Sequence, residues 1–330
     1  MNTLDREKFT QSSDLTETRN REASMLGIEK KFWIRYDDTD FLYKVDDEYM
    51  FGFGELFFSH ICNKLEINCV NVYPAHDKKE DTKGVIVESF VTKRKTNMSL
   101  KSFLRDCMCQ HYMEFEGYYT YDDFTRLLGK LQKKEGFVIA KGFLADVRKM
   151  IFLDFLFGNE DRHLNNVEVY LEKNVFGKTR VSLAPLFDNG MSLGLRQVAR
   201  GHWTYDEFRY LSVPCFAFYE ENPKMKYAEP IEKFAYCYAK QLEKDPELAE
   251  LYEKIKTLDL RQELEYVSRV SGYNLSDYYI DFMTKFLEYR FDLLEHIAEK
   301  DFSGGNVEYD EEKENFEDED KLFEMYGIEL

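Results

Sequence analysis

A chain of 330 residues with 44% hydrophobic and 16% aromatic side chains can bury a large core, which excludes an intrinsically disordered protein. Its formal net charge of -18 argues against nucleic acid or an anionic membrane as the main partner. No apolar run is long enough to span a membrane, residues 1–22 hold no apolar signal core, and the six cysteines lack a paired zinc spacing, so a cytoplasmic protein with free thiols is expected.

In chain order, residues 1–22 read as a polar lead-in. Residues 31–45 read as two strands joined by a turn at 37–40. Leu56, Phe57, Ile61 and Leu65 recur at helical spacing, which predicts an amphipathic helix over 54–65. Further strands are predicted at 69–74 and 84–91, making a small sheet with one helix. A boundary falls near 92–97, where strands give way to helical patterns at 100–110, 121–132, 141–157, 230–245, 259–271 and 276–300. Val167, Val169 and Leu171 alternate with polar residues, Asn174 and Gly177 form turns, and 181–186 is a second strand, so a hairpin interrupts the helical region. The resulting division is an N-terminal unit 23–93, a helical unit 94–303 and an acidic tail 304–330, whose last residues regain apolar character.

Chemistry is densest beside that hairpin. Asp161 precedes Asn166 by five residues, and Asp188-Asn189-Gly190 follows the second strand. The first spacing is that of a loop in which an aspartate aligns a hydroxyl and an asparagine holds a metal, and the second motif stands where another metal-binding aspartate is carried. The hairpin would bring Asn166 and Asp188 to one end of adjacent strands. Taken singly, either aspartate reads equally as a turn acid. His163 is expected to be structural, Arg162 to pair with a carboxylate of the same loop, and Asn159 to cap or brace the turn. Lys44 lies between Tyr43 and Val45 in an apolar strand. It either points to solvent or faces inward and must find anions.

Three more segments extend the pattern: Ser24-Met25-Leu26-Gly27-Ile28-Glu29-Lys30-Lys31, then Phe41-Leu42-Tyr43-Lys44, then Gly84-Val85-Ile86-Val87-Glu88-Ser89-Phe90. With the Asp161 and Asp188 motifs, they resemble the HipA-like serine/threonine kinases, including their short stand-alone branch, over about residues 24–195. The resemblance implies an α+β, bilobal protein-kinase-like fold, with a small β-rich N-lobe carrying one helix and a larger, mainly helical C-lobe. It implies ATP and Mg²⁺ between the lobes, Asp161 orienting the hydroxyl and accepting its proton, and Asn166 and Asp188 on the metal. Lys44 would grip the phosphates and Glu55 would orient Lys44, with Glu48 as the competing partner. Ser24, Gly27 and Lys31 would form the nucleotide loop, Ser24 being a candidate for autophosphorylation. The usual three glycines of such a loop are absent, which leaves Gly27 alone for close backbone approach. Ser89 to Val91 would form the hinge that meets adenine. The family includes toxin kinases, so an antitoxin-like partner is implied, while the protein substrate is unknown. A lipid or small-molecule kinase of the same fold and a catalytically silent nucleotide-binding scaffold are the alternatives.

Overall fold

The computed structural model describes residues 16–17, 31–36, 39–46, 49–77, 82–91, 95–108, 125–126, 129–130, 133, 136–175, 177–199 and 230–299. It is a mixed α+β fold. The first sheet comprises β1 (Thr16–Glu17), β2 (Lys31–Tyr36), β3 (Thr39–Val45), β4 (Val72–Asp77) and β5 (Thr82–Glu88), in the order β1-β2-β3-β5-β4, with every pair antiparallel. Between β3 and β4 runs helix α1 (Phe51–Lys64). Strand alternation decides what β3 presents to each side. Phe41 and Tyr43 pack with Ile34 and Ile86 in a small cluster on one face. Leu42 faces the main core together with Val85 and Val87, and Lys44 shares that alternate position.

The second sheet comprises β6 (Thr96–Ser99), β7 (Phe137–Ile139), β8 (Glu168–Lys173) and β9 (Thr179–Leu183), in the order β6-β8-β9-β7. The expected hairpin is β8–β9, antiparallel, with Val169 opposite Leu183 and Lys173 opposite Thr179. Helices α2 (Leu100–Met108), α3 (Phe143–Phe157), α4 (Leu195–Ala199), α5 (Pro230–Lys244), α6 (Pro246–Lys256), α7 (Leu260–Ser271) and α8 (Asp277–His296) complete the fold. One continuous apolar cluster runs from Phe57 on α1 through Phe152 and Phe157 on α3 to Phe282 and Phe286 on α8. Among the described residues, no helix is long and apolar enough to cross a membrane.

Several expectations need correction. Helix α1 begins at Phe51 and is buried on nearly all sides, so its apolar residues mark a central element and not an amphipathic surface helix. Strands β4 and β5 lie at 72–77 and 82–88. The region after residue 99 is not helical apart from the hairpin, because β7 adds a parallel strand beside β9. Helix α6 was not expected, because it falls between the helices predicted at 230–245 and 259–271. Its start is capped by Asp245, which accepts from the Glu247 and Leu248 amides at 3.1 and 3.3 Å, and Pro246 is tolerated at the first position. Of the helix expected at 121–132, residues 125–126 and 129–130 are described and helical. Ser24, Gly27, Glu48 and the tail 304–330 lie outside the described residues.

Candidate active site

The loop that follows α3 is assembled around one buried guanidinium. Asp154 is an acid inside the apolar run Met150-Ile151-Phe152-Leu153-Asp154-Phe155-Leu156-Phe157, and it is fully buried. A carboxylate in that setting requires strong partners. Arg162 supplies them, with Nε to Asp154 Oδ2 at 2.9 Å and Nη2 to Oδ1 at 3.2 Å. Asn159 adds a third, donating from Nδ2 to Oδ1 at 3.0 Å, and its own Oδ1 accepts from the Asp161 amide at 3.1 Å. Burial still raises Asp154 above the ordinary carboxylate value, outweighing Arg162 and Asn159, which lower it. Arg162 also donates through Nη1 to the carbonyls of Asn166 and Phe187, both at 2.7 Å, and through Nη2 to Asn189 Oδ1. A single side chain thus joins α3, the Asp161–Asn166 loop and the Asp188 motif. Its carboxylate partner lies in the preceding helix, not in the same loop as the sequence suggested.

Within the loop, Asn166 donates from Nδ2 to the Asp161 carbonyl at 2.8 Å and to Asp161 Oδ2 at 3.0 Å. Its amide oxygen is thereby turned away from Asp161. His163 accepts from the Asn165 amide on Nδ1 at 3.2 Å and caps the short 3₁₀ turn Leu164–Asn166, while its Nε2 lies 3.7 Å from Asp161 Oδ1. Burial raises Asp161 above the ordinary carboxylate range; the charge of Asp188 adds to this, while His163, Asn166 and Arg162 oppose it.

Lys44 faces inward and is 6% exposed. Its ammonium contacts Glu55 Oε1 and, at 2.5 Å, Asp188 Oδ1. Of the solvent-facing and inward orientations left open by the sequence, Lys44 takes the inward one, against Glu55, which is itself 1% exposed; the competing Glu48 lies outside the described residues. Burial alone would raise Asp188, but Lys44, Lys31 and Arg162 outweigh it and hold it at about 2. Asp188 takes the left-handed conformation, with φ 57°, which aspartate tolerates better than most residues. Backbone contact brings α1 and this motif together. A Cβ at Gly54 would lie 2.4 Å from the Gly190 carbonyl oxygen, so only glycine lets the helix carrying Glu55 rest directly on the loop carrying Asp188.

Lys31 pairs with Lys44 across β2 and β3. At the expected hinge, the Ser89 amide is already bonded to the Asp40 carbonyl at 2.9 Å, and the Phe90 carbonyl accepts from the Tyr170 hydroxyl at 2.8 Å. The Phe90 ring rests 5.2 Å from that of Phe187. Val91 is 55% exposed, and its amide meets Ser89 Oγ at 3.3 Å. No group of three or more His, Cys, Asp or Glu side chains able to hold a metal occurs among the described residues. A cavity of about 420 Å³ lies apart from all these groups, lined by Ile67, Met150, Leu186 and Leu251 among others.

The structure thus holds an inward lysine bonded to a helix carboxylate and to a loop aspartate, with an Asp-Asn pair five residues apart in the loop joined to it through Arg162. No protein-family model matches the chain, and no curated protein matches it in sequence. Among solved structures it is similar to the Helicobacter pylori proinflammatory kinase CtkA, with a TM-score of 0.55 and 14% identity, covering 86% of this chain and 97% of that one. It is also similar to a Shewanella oneidensis MR-1 toxin–antitoxin complex of HipA, HipB and operator DNA, with a TM-score of 0.44 and 13% identity, covering 84% of this chain and 64% of that one. The first falls where the sequence resemblance pointed. The first establishes a shared fold; the second is too loose to add weight.

Proposed function

We propose that this chain is an ATP-dependent phosphotransferase of HipA-like type, which transfers the γ-phosphoryl group to a serine or threonine hydroxyl of a protein, itself included. The observation that carries the reading is the contact of Lys44 with both Glu55 and Asp188 while Asn166 is fastened to Asp161. The site then lies between an N-lobe of residues 23–93 and a C-lobe of residues 94–303.

Asp161 orients the acceptor hydroxyl and takes its proton, a task favoured by a carboxyl raised above its usual range. Lys44 leaves Asp188 for the nucleotide phosphates and keeps Glu55. The residues present fit a hard cation: Asp188 is ionised at about 2, and Asn166 has its amide oxygen turned away from Asp161. Asp188 and Asn166 would hold Mg²⁺, with phosphate and water oxygens completing its shell. The ion supplies charge neutralisation at the β- and γ-phosphates when bound. With the Ser89 amide on the Asp40 carbonyl, the Phe90 carbonyl on the Tyr170 hydroxyl and the Val91 amide on Ser89 Oγ, adenine binding at this hinge requires the exposed Val91 amide to exchange Ser89 Oγ for the base. The family resemblance gives Ser24, Gly27 and Lys31 the role of covering the phosphates.

Incubation with γ-labelled ATP and Mg²⁺, followed by mass spectrometry, tests the reading. Label on serine or threonine that is absent in Asp161→Ala supports it. Label confined to lipid or small-molecule acceptors replaces it with the alternative kinase, and nucleotide binding without transfer replaces it with a silent scaffold. An antitoxin-like partner belongs to the same reading by resemblance, and co-purification with the product of an adjacent gene tests that part.

A further inference from the structure

Helix α1 starts with Phe51-Gly52-Phe53-Gly54. Glycine is the poorest helix former after proline, so two in one turn make a weak start. Met50, the N-cap, has φ 55° and gives no side-chain cap, and the first turn holds no acidic residue. The turn is held from outside instead. Asp46, just after β3, accepts the Gly52 N–H on Oδ1 at 3.1 Å. Its other oxygen, Oδ2, accepts the hydroxyl of Tyr273.

Tyr273 belongs to the connection between α7 and α8. Its ring meets that of Phe53 edge-on at 5.6 Å. A Cβ at Gly52 would come 2.4 Å from Tyr273 Oη, so the glycine that weakens the helix is also what admits the phenol. The connection is itself anchored: the Asn274 amide donates to the Ser268 carbonyl at 3.0 Å, and the Leu275 amide to Ser268 Oγ at 2.7 Å. On the strand side, the Asp46 amide donates to the Lys83 carbonyl at 2.9 Å.

Chain position gives this carboxylate its leverage. Asp46 lies two residues beyond Lys44, and Gly52 lies three residues before Glu55. The two members of the buried Lys44–Glu55 pair therefore leave the same carboxylate in opposite directions, one along the strand and one along the helix. A carboxylate at a helix N-terminus is also favoured by the helix dipole. We propose that Tyr273 is a positioning residue for the phosphoryl transfer: through Asp46 it fixes the first turn of α1, and with it the geometry of Lys44 and Glu55. The inference rests on the nucleotide-site roles given to Lys44 and Glu55 under Proposed function.

Tyr273→Phe separates positioning from packing, because it keeps the ring against Phe53 and removes only the hydroxyl. If the ring alone matters, Tyr273→Phe behaves as wild type and only Tyr273→Ala is impaired. The proposal expects Tyr273→Phe to lower kcat by about 10-fold or more, with a smaller change in KM for ATP. It expects Asp46→Asn to add little to that loss in the double variant. It also expects faster hydrogen exchange at the Gly52 and Phe53 amides. Either a kcat within about twofold of wild type or unchanged exchange at Gly52 overturns it. Should the wild-type chain transfer no phosphoryl group, the kinase reading fails on its own. Exchange then decides the remaining link: faster exchange in Tyr273→Phe upholds the hold of Tyr273 on α1, and unchanged exchange removes it.

Discussion

Replacing Arg162 by lysine keeps one positive charge and removes a planar set of donors. In the wild type that set makes bonds to Asp154 Oδ1 and Oδ2, to the Asn166 and Phe187 carbonyls and to Asn189 Oδ1, from a side chain that is fully buried. A lysine offers three donors on one nitrogen and cannot reach a helix carboxylate and two loop carbonyls together. If the ammonium stays with Asp154, the carbonyls and Asn189 lose their donor, at about 1–3 kcal/mol for each group left unpaired. If it moves to the carbonyls, Asp154 keeps only the Asn159 amide, and breaking a buried ion pair costs about 3–5 kcal/mol. Arg162→Lys should therefore lower the unfolding free energy by about 3–5 kcal/mol in urea titration at pH 7. Combined with Asp154→Asn, the two losses should be non-additive by about 0.5–3 kcal/mol. Phosphoryl transfer should fall further than the folded fraction, because Arg162 holds the backbone at both Asn166 and Phe187. A loss under about 1 kcal/mol, or strict additivity of the two substitutions, would refute the view that this guanidinium ties the site together.

Asp161→Ala should keep nucleotide affinity and lose phosphoryl transfer by about 10²-fold or more, read by labelled-ATP transfer beside equilibrium binding. Gly54→Ala would be mildly stabilising on an open helix, yet here it should cost about 1–3 kcal/mol and reduce activity, since the new methyl meets the Gly190 carbonyl; a stabilised variant would contradict the close contact. Asp188 stands at about 2 against its ordinary 3.8, so its pairing with Lys44 adds stability above pH 3.8, and that contribution is lost as pH falls toward 2. The difference in urea midpoint between wild type and Asp188→Asn should accordingly be flat near neutral pH and shrink toward pH 2. Because Asp161 is raised, the acidic limb of kcat/KM should lie above the ordinary 3.8 and vanish in Asp161→Asn; a limb at or below that value would remove Asp161 as the base.

The legible parts of the sequence were those with short-range signals. The β8–β9 hairpin announced itself through alternation and turn residues, and the Asp161–Asn166 spacing sits on a loop of fixed length. Lys44 in an apolar strand had either to point to solvent or to find anions, and it is turned inward onto Glu55 and Asp188. What sequence reasoning missed depends on long-range contact. Asp154 was readable in principle, as a lone acid within an apolar helix, but its partner could not be named from spacing. Tyr273 lies far from Asp46 in the chain, and no periodicity links them. Strand β7 was hidden because a short parallel strand carries no alternation of its own. Helix α6 falls in the gap between the helices expected at 230–245 and 259–271, although Asp245-Pro246 is a pair that begins helices.

Backbone contact, more than side-chain packing, sets the spacing of the site. The Gly54 position rests on the Gly190 carbonyl, and Arg162 holds the Asn166 and Phe187 carbonyls. The segment leading to Asp188 is fastened by its backbone to the strand side of α1, with the Val70 amide on the Leu186 carbonyl and the Leu186 amide on the Asn68 carbonyl, each at 2.9 Å. Contacts of this kind restrict the sequence only where a glycine or a particular donor is needed. The apolar residues around them can be exchanged for others of similar volume at modest cost. The positions expected to tolerate least substitution are therefore not the largest core side chains but Gly54, Asp154 and Arg162, together with the residues they hold in place. Saturation substitution scored by phosphoryl transfer should find these three less tolerant than fully buried Phe152 or Phe155, and equal tolerance at both sets would show that packing, not backbone contact, sets the site.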